Sequence, residues 1–283
     1  MHDHPGGIVT RFAPSPTGQL HIGHAYSVLF AYRKAKENGG RFILRIEDID
    51  TERCRPEYVD GIKEDLHWLG LTWEEPVRKQ SEHMAGYAAA LDKLAGADLL
   101  YPCFCSRRDI REEIARAPAA PHGPEGALYP GTCRNLTADE RQDRMAKGEP
   151  YALRLDTTAA LARLDAPLIW EDLEKGKQEA HPEILGDVVL ARKDTPASYH
   201  LCVTLDDHLQ GVTHVTRGED LFHATHLHRL LQHILGLNVP VWHHHPLLHD
   251  EEGKRFAKRN QSVTLKSLRE MGSMPEDIIR RVS

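Results

Sequence analysis

The chain has 283 residues, enough for one large domain or about two ordinary ones with a full hydrophobic core. Hydrophobic residues make up 40% and charged residues 28%, and the formal net charge of −6 excludes a surface that coats nucleic acid through clustered cations. No apolar run approaches the ~20 residues that span a bilayer, and the start MHDHPGG lacks the features of a signal peptide. We therefore expect a cytoplasmic protein that does not contact membranes and whose RNA contacts, if it has any, use a local patch.

The first fifty residues predict a strand, a helix and a second strand. The run GIVTRFAP is apolar and β-branched and closes at Pro14, whereas Leu20, Ala25 and Val28 recur at helical spacing before the stop signal at Asn38. The run RFILRIEDID then predicts a second strand with acidic residues at its carboxyl end. A strand–helix–strand unit of this length implies a parallel sheet with a crevice at the strand ends.

The remaining chain predicts further helices, an insertion and a return to the sheet. Helices are expected at residues 57–69 and 82–94, and residues 101–184 carry a cysteine pair and a loop rich in Pro, Ala and Gly. We interpret residues 101–184 as an inserted subdomain. Strand-like runs then return, the run HATHLHRLLQHILGL predicts a long helix that ends near Gly236, and the tail from residue 266 has a helical pattern.

The junction between the first strand and the first helix predicts an anion site. A strand that feeds a helix through a proline-stiffened turn directs backbone N–H groups and the positive end of the helix dipole at the crevice. His21 and His24 are three residues apart, so they share one helix face, where both rings can donate to phosphate oxygens. Taken singly, either residue is better interpreted as a surface histidine, since the chain has 19 of them.

The complete run RFAPSPTGQLHIGH resembles the signature of class I aminoacyl-tRNA synthetases, and its APSPTG part resembles the glutamyl and glutaminyl branch. The resemblance implies an α/β fold with the Rossmann-type parallel sheet of this family, a zinc-containing inserted subdomain and a short helical C-terminal segment. We expect two halves of the catalytic domain at residues 1–100 and 185–247, the insertion at 101–184, and a mobile loop with helical residues at 248–283. No anticodon-binding domain is expected.

Two later stretches resemble the substrate-binding segments of the same branch. RIEDID places Glu47 where the family holds the ammonium group of the amino acid, and ASYHLCVTLDDHLQGVTHVTRGEDL places Tyr199 and Arg217 in substrate positions. Glutamate carries two carboxylates and one ammonium, so Arg11 and Arg217 can each grip a carboxylate; which one takes the side-chain carboxylate stays open. An alternative for Arg217 is a surface ion pair with the acidic residues that follow it. The predicted glutamate-binding residues are Arg11, Phe12, Ala13, Pro14, Ser15, Glu47, Tyr199 and Arg217.

The second signature of the family, Lys-Met/Leu-Ser-Lys-Ser/Arg, is altered at residues 255–259. Arg255 replaces the first lysine, Ala257 removes a hydroxyl, and Lys258 keeps the second lysine, which the resemblance implies neutralises the phosphates as pyrophosphate forms. We expect His21, His24 and Lys258 to be catalytic, and the two changes predict a slower activation step or a differently held loop. ATP is expected to bind with Mg²⁺, and its predicted contacts are His21, Gly23, His24, Arg255 and Lys258.

Three of the five cysteines predict a structural zinc site. Cys103 and Cys105 lie at i, i+2 and Cys133 returns after a loop, which in a reducing compartment favours a metal over disulfides, with three unligated thiols as the alternative. From the residues alone, the fourth ligand is open between His122, Tyr129 and a water molecule. The run YPGTC resembles the pattern of short glutamyl-tRNA-synthetase-like proteins, which implies Tyr129.

The short zinc-bearing members of the branch are the glutamyl-queuosine tRNA(Asp) synthetases. The resemblance implies formation of glutamyl adenylate and transfer of glutamate to queuosine at the wobble position of tRNA(Asp), with L-glutamate, ATP and queuosine-containing tRNA(Asp) as partners of a monomer. One alternative is the truncated catalytic core of a glutamyl-tRNA synthetase. Others are a non-catalytic tRNA-binding paralogue, favoured by the altered loop, and a small nucleotidyltransferase that uses the helix entrance alone.

Overall fold

The computed structural model describes residues 7–116, 122–124, 126–248 and 263–282. The strands are β1 (Val9–Phe12), β2 (Arg41–Ile46), β3 (Glu74–Lys79), β4 (Leu100–Cys103), β5 (His122–Gly123), β6 (Gly126–Ala127), β7 (Ala152–Leu155), β8 (Ile169–Asp172), β9 (Gly176–Glu179), β10 (Val189–Ala191), β11 (His214–Gly218) and β12 (Val241–His245). The helices are α1 (Ile22–Glu37), α2 (Pro56–Trp68), α3 (Met84–Gly96), α4 (Arg107–Arg116), α5 (Ala138–Ala146), α6 (Thr157–Leu161), α7 (Tyr199–Leu209), α8 (Ala224–Leu235), α9 (Leu265–Glu270) and α10 (Pro275–Arg281).

A central, mostly parallel sheet carries the site. β1 pairs parallel with β2 and β2 with β3, while β11 pairs parallel with β12 and β12 with β8. The two groups meet where the backbone nitrogen of Thr213 donates to the carbonyl of Val9 at 3.0 Å, and β9 closes the far edge antiparallel to β8. The predicted Rossmann-type parallel sheet is confirmed, and it brings the carboxyl ends of β1, β2 and β11 to one edge.

Helix α1 forms as its apolar spacing predicts, and it ends in a turn that requires glycine. Ala25 and Val28 are wholly buried against the sheet. Gly39 has a φ of +61°, in the left-handed region that glycine adopts without strain. A Cβ on the next residue, Gly40, would collide with the carbonyl oxygen of Ile8, so the chain can return beside β1 only with glycine there. This close return fixes the register of β1 and β2.

Two hydrophobic clusters hold the helices on the sheets. One joins α1, α2 and β2 to the C-terminal helices through Leu265 and Ile278, and the other joins α3, α7 and α8 to β7 and β10 through residues such as Tyr87 and Leu230. The helices predicted at 57–69 and 82–94 are confirmed as α2 and α3, within two residues at each end. Within the described ranges, no helix combines the length and apolar character that a membrane crossing requires.

A smaller antiparallel sheet, in the order β10-β7-β4, lies beside the central one. Its strand β7 falls in the expected insertion and β4 begins one residue before it, but β10 lies beyond the expected boundary at residue 184. Conversely, β8 and β9 lie inside residues 101–184 and pair with the central sheet. Strand pairing therefore crosses that boundary in both directions, and the division into domains stays a prediction.

Candidate active site and metal centre

One cavity of about 720 Å³ lies at the carboxyl ends of β1, β2 and β11. Its lining includes all the predicted glutamate-binding residues, together with His21, Gly23 and His24. These residues are Arg11, Phe12, Ala13, Pro14, Ser15, Glu47, Tyr199 and Arg217. The structure thus brings together side chains from four separate segments, whereas the predicted ATP contacts Arg255 and Lys258 lie outside the described residues.

Arg11 is buried, and the carboxylate of Asp207 holds its guanidinium in place. Its Nε donates to Oδ1 of Asp207 at 3.1 Å, and its Nη1 donates to the carbonyl of Thr216 at 2.9 Å. The same Asp207 oxygen accepts from Nη2 of Arg45 at 2.8 Å, so two guanidinium groups share one acceptor. This bonding fixes the orientation of the Arg11 guanidinium before any ligand enters, which is the arrangement that bidentate carboxylate recognition needs.

Glu47 is only 7% exposed and lies beside the same charged cluster. Oε1 of Glu47 accepts from Nη2 of Arg45 at 3.4 Å. Burial raises the pKa of Glu47 to about 7, against the opposing effect of Arg45 and Arg11. The carboxylate is therefore near its titration midpoint at neutral pH, and an ammonium group that enters the cavity would favour its ionised form.

Arg217 is buried and bound by neutral acceptors. Its Nε donates to Nε2 of His244 at 3.2 Å, its Nη1 lies 3.2 Å from Nδ1 of His228, and its Nη2 donates to the Thr225 hydroxyl at 2.6 Å. Burial, with a further contribution from Arg217, lowers the pKa of His244 to about 3 and that of His228 well below its usual value. The alternative interpretation of Arg217 as a surface ion pair is wrong, because the side chain is turned into this buried network.

His21 and His24 cap the first turn of α1 with their own rings. Nδ1 of His21 accepts from the backbone nitrogen of Gly23, and Nδ1 of His24 accepts from that of His21, each at 3.1 Å. The ring centroids are 3.8 Å apart. Because each Nδ1 is an acceptor, the neutral rings carry their protons on Nε2. Both histidines are therefore fixed donors on the cavity wall rather than surface residues, at a helix end that favours an anion.

A second cavity, of about 980 Å³, shares Ser15, Glu47 and Tyr199 with the first. Its far side is formed by the segment that carries Cys103 and Cys105. This cavity is lined by five cations, namely Arg53, Arg107, Arg154, Arg192 and Lys193, and by the acidic residues Glu47, Asp50 and Asp194. Arg53 and Arg192 form ion pairs with these acids, and the remaining excess of positive charge is suited to a phosphate backbone.

The three predicted cysteine ligands converge on one point. The Sγ atoms of Cys103, Cys105 and Cys133 all lie within 4.8 Å of one another, and those of Cys105 and Cys133 are 3.5 Å apart. The phenol oxygen of Tyr129 lies 3.4 Å from Cys103 Sγ and 3.7 Å from Cys105 Sγ. Zinc–sulfur bonds of about 2.3 Å place tetrahedral sulfurs about 3.8 Å apart, so three sulfurs and this oxygen fit around one ion.

The surroundings of the cysteine cluster also suit a metal. The backbone nitrogen of Cys133 donates to the Tyr129 oxygen at 2.9 Å, and the Arg154 guanidinium lies 3.8 Å from the centre of the Tyr129 ring. A positive group at this position offsets the negative charge that three thiolates bring. The three cysteines can therefore hold a metal ion. The side chain of His122, the other protein candidate for fourth ligand, lies outside the described residues.

Comparison with known proteins decides the family. The model for "tRNA synthetases class I (E and Q), catalytic domain" matches residues 7–283. The chain belongs to this family. This class I synthetase is therefore an enzyme of the ligase class. Its fold agrees with that of a glutamate-tRNA synthetase from Elizabethkingia anophelis, with a TM-score of 0.81 at 30% identity, over 97% of this chain and 61% of the other.

Curated relatives refine the comparison. A protein of Rhodobacter capsulatus named glutamyl-Q tRNA(Asp) synthetase is 48% identical to this class I synthetase, over 97% of this chain and 99% of the relative. A glutamate–tRNA ligase of Aquifex aeolicus is 39% identical over 95% of this chain, but over only 55% of its own length. The resemblance to glutamyl-queuosine tRNA(Asp) synthetases that the sequence indicates is thus confirmed.

The sequence did not lead us to predict the residues that hold Arg11 and Arg217 in place in this synthetase. Asp207 had a usable signal, because Tyr199, Val203 and Asp207 recur every four residues on α7 and therefore share one face. Arg45 is two residues from Glu47, so the strand period places both on the same side. The histidines beside Arg217 had no such signal, since they come from α8 and β12 and meet only in the folded chain.

Proposed function

We propose that this enzyme activates L-glutamate with ATP and transfers the glutamyl group to queuosine at the wobble position of tRNA(Asp). The observation that carries the proposal is the single cavity in which Arg11, Arg217 and Glu47 face the same space as the His21–His24 pair. Two buried cations and one buried carboxylate match the two carboxylates and one ammonium of glutamate. The fixed imidazole donors match the phosphates of a nucleotide.

In the first step, an oxygen of the glutamate α-carboxylate attacks the α-phosphorus of ATP, and the bond to the departing pyrophosphate breaks. The products are glutamyl adenylate and pyrophosphate, so no enzyme nucleophile is required and catalysis consists of positioning and charge stabilisation. The arginines hold the carboxylates, Glu47 holds the ammonium, and Nε2–H groups of His21 and His24 donate to phosphate oxygens. Residues 12–15 and Tyr199 form the surrounding wall, and Mg²⁺ supplies positive charge to the phosphates.

The predicted contacts from Arg255 and Lys258 remain part of the proposal. Leu248, the last described residue before their segment, lines the cavity. Thr264, just after the segment, pairs with His21 through a backbone bridge. Both ends of the segment therefore flank the phosphate half of the cavity, which supports an ATP contact for it.

In the second step, a hydroxyl of queuosine attacks the acyl carbonyl of the adenylate, and AMP leaves. The second cavity is the proposed entrance for the modified nucleotide, because cations outnumber acidic residues in its lining and it joins the glutamate site at Ser15, Glu47 and Tyr199. Proteins commonly read RNA loops through unstacked bases and phosphate contacts. The choice of queuosine over a tRNA terminus is supported by the Rhodobacter relative, which is matched over 99% of its length.

A zinc ion held by Cys103, Cys105, Tyr129 and Cys133 completes the proposal. It would stabilise the segment that forms the far side of the second cavity, and it takes no part in the chemical steps. Action as a monomer in the cytoplasm, where ATP, glutamate and tRNA meet, also belongs to the proposal.

The test incubates the purified protein with ATP, Mg²⁺ and labelled glutamate, and compares queuosine-containing tRNA(Asp), queuosine-free tRNA(Asp) and tRNA(Glu). Label on the first alone is the expected result. Label on tRNA(Glu) would make the chain the core of a glutamyl-tRNA synthetase. Absence of label together with absence of glutamate-dependent pyrophosphate exchange would instead indicate a non-catalytic protein.

A further inference from the structure

We propose that His244, His228 and Asp172 are positioning residues that hold Arg217 ready for a glutamate carboxylate: the two imidazoles accept N–H bonds from the arginine without neutralising its charge, and Asp172 fixes the proton of His244. The inference rests on the proposed function, in which Arg217 binds glutamate. It assigns a role to three buried residues that do not line the cavity: His244 and His228 contact the arginine, and Asp172 contacts His244.

The first observation is the contrast between the two arginines of the cavity. Arg11 forms an ion pair with Asp207 at 3.1 Å. Among the residues that the structure describes, no carboxylate forms an ion pair with Arg217. Its guanidinium bonds to two imidazole nitrogens and the Thr225 hydroxyl, and Tyr199 also interacts with it. A buried charge that no carboxylate contacts directly is costly, and it attracts an anionic ligand more strongly than a neutralised one does. The charge of Arg217 is therefore available to bind a carboxylate of the substrate.

The second observation is that Asp172 dictates the proton position on His244. Nδ1 of His244 lies 2.6 Å from Oδ2 of Asp172, and both side chains are wholly buried. The carboxylate can only accept, so Nδ1 carries the proton and Nε2 must accept from Nε–H of Arg217. Backbone nitrogens of Glu174 and Lys175 donate to the other Asp172 oxygen at 2.9 and 3.0 Å, which holds the carboxylate in place.

His228 repeats the arrangement on the other side of the guanidinium. Its Nδ1 faces Nη1 of Arg217, and its Nε2 lies 3.1 Å from Nδ1 of His200. Because Arg217 is always a donor, Nδ1 of His228 accepts and its Nε2–H donates to His200. Burial lowers the pKa of His200 to about 4, so this ring too is neutral at physiological pH. Neutral rings orient the arginine while its full positive charge remains.

The Asp172→Asn variant tests the relay, that is, the hydrogen bonds that run from Asp172 through His244 to Arg217. The substituted residue does not line the cavity. An asparagine amide that donates to Nδ1 moves the His244 proton to Nε2, where it opposes the N–H of Arg217. In pyrophosphate exchange, the KM for glutamate should rise about tenfold or more, the loss expected for one misaligned hydrogen bond to a charged group, while the KM for ATP is unchanged. The matched control is Asp156→Asn, since Asp156 caps α6 and asparagine caps equally well.

Two further readouts separate positioning from a general structural role. In the Arg217→Lys background, Asp172→Asn should add no further loss, because the two changes act through the same group. Long-range ¹H–¹⁵N spectra should show His244 protonated on Nδ1 in the parent and on Nε2 in Asp172→Asn. Additive losses, or equal rises in the KM for glutamate and for ATP, would overturn the inference.

The spectra also separate this inference from the proposed function. If the parent protein shows no glutamate-dependent exchange, the proposed function fails, whereas a His244 protonated on Nδ1 still supports the positioning of Arg217. A parent His244 protonated on Nε2 refutes the relay whatever the activity.

Discussion

The pH dependence of glutamate binding follows from the burial of Glu47. Its pKa is about 7 in the ligand-free cavity, raised chiefly by burial, so the carboxylate is about 90% ionised at pH 8 and about 10% ionised at pH 6. In the proposed glutamate site, only the ionised form pairs with the substrate ammonium. The affinity for glutamate therefore weakens as the pH falls through 7, by about tenfold between pH 8 and pH 6. Above pH 8 the dependence on this group is flat.

Calorimetric titration with glutamate at pH 6, 7 and 8 measures this effect without the chemical steps. The matched control is Glu47→Gln, which keeps the shape of the side chain but has no charge at any pH, and it should bind weakly with no dependence on pH from this site. Equal affinities of the parent protein at pH 6 and pH 8 would refute the reasoning. So would the same slope in Glu47→Gln, because another group would then be responsible.

Three other predictions concern the metal, the pocket and the stability. Cys103→Ser should lose its metal and unfold at a lower temperature, whereas Cys54→Ser, outside the cluster, should keep both properties; unchanged metal by elemental analysis contradicts the site. Arg11→Ala should lose glutamate-dependent exchange while its circular dichroism stays that of the parent, and exchange at the parent rate would show that the pocket is assigned wrongly. Asp65 is buried with neither carboxylate oxygen hydrogen-bonded, and burial raises its pKa to about 6 even though Arg269 lies 3.6 Å from Oδ1. Because this folded pKa lies above the unfolded value, the ionised carboxylate opposes folding as the pH rises through 4 to 6. Asp65→Asn should therefore increase the free energy of unfolding at pH 7.5, by up to about 3 kcal/mol, and by much less at pH 4; equal denaturation midpoints at pH 7.5 would rule this out.

The sequence could predict what depends on neighbours along the chain. The apolar spacing around Val28, the stop signal at Asn38 and the acidic end of β2 are local signals, and they were sufficient for the first strand–helix–strand unit. The partner of β10 was not predictable, because a three-residue strand can pair with any free edge and tertiary packing decides which. The network around Arg217 was out of reach for the same reason, since His228 and His244 are distant in sequence and carry no shared period.

The wall that the two cavities share has a consequence for redesign of the enzyme. Ser15, Glu47 and Tyr199 border both spaces, so a substitution made to admit a different amino acid would also reshape the proposed entrance for the acceptor. On the proposed function, the choice of amino acid and the choice of acceptor cannot be changed one at a time at these positions. Independent adjustment has to begin at the outer residues of each cavity, such as Leu221 on one side and Ile110 on the other.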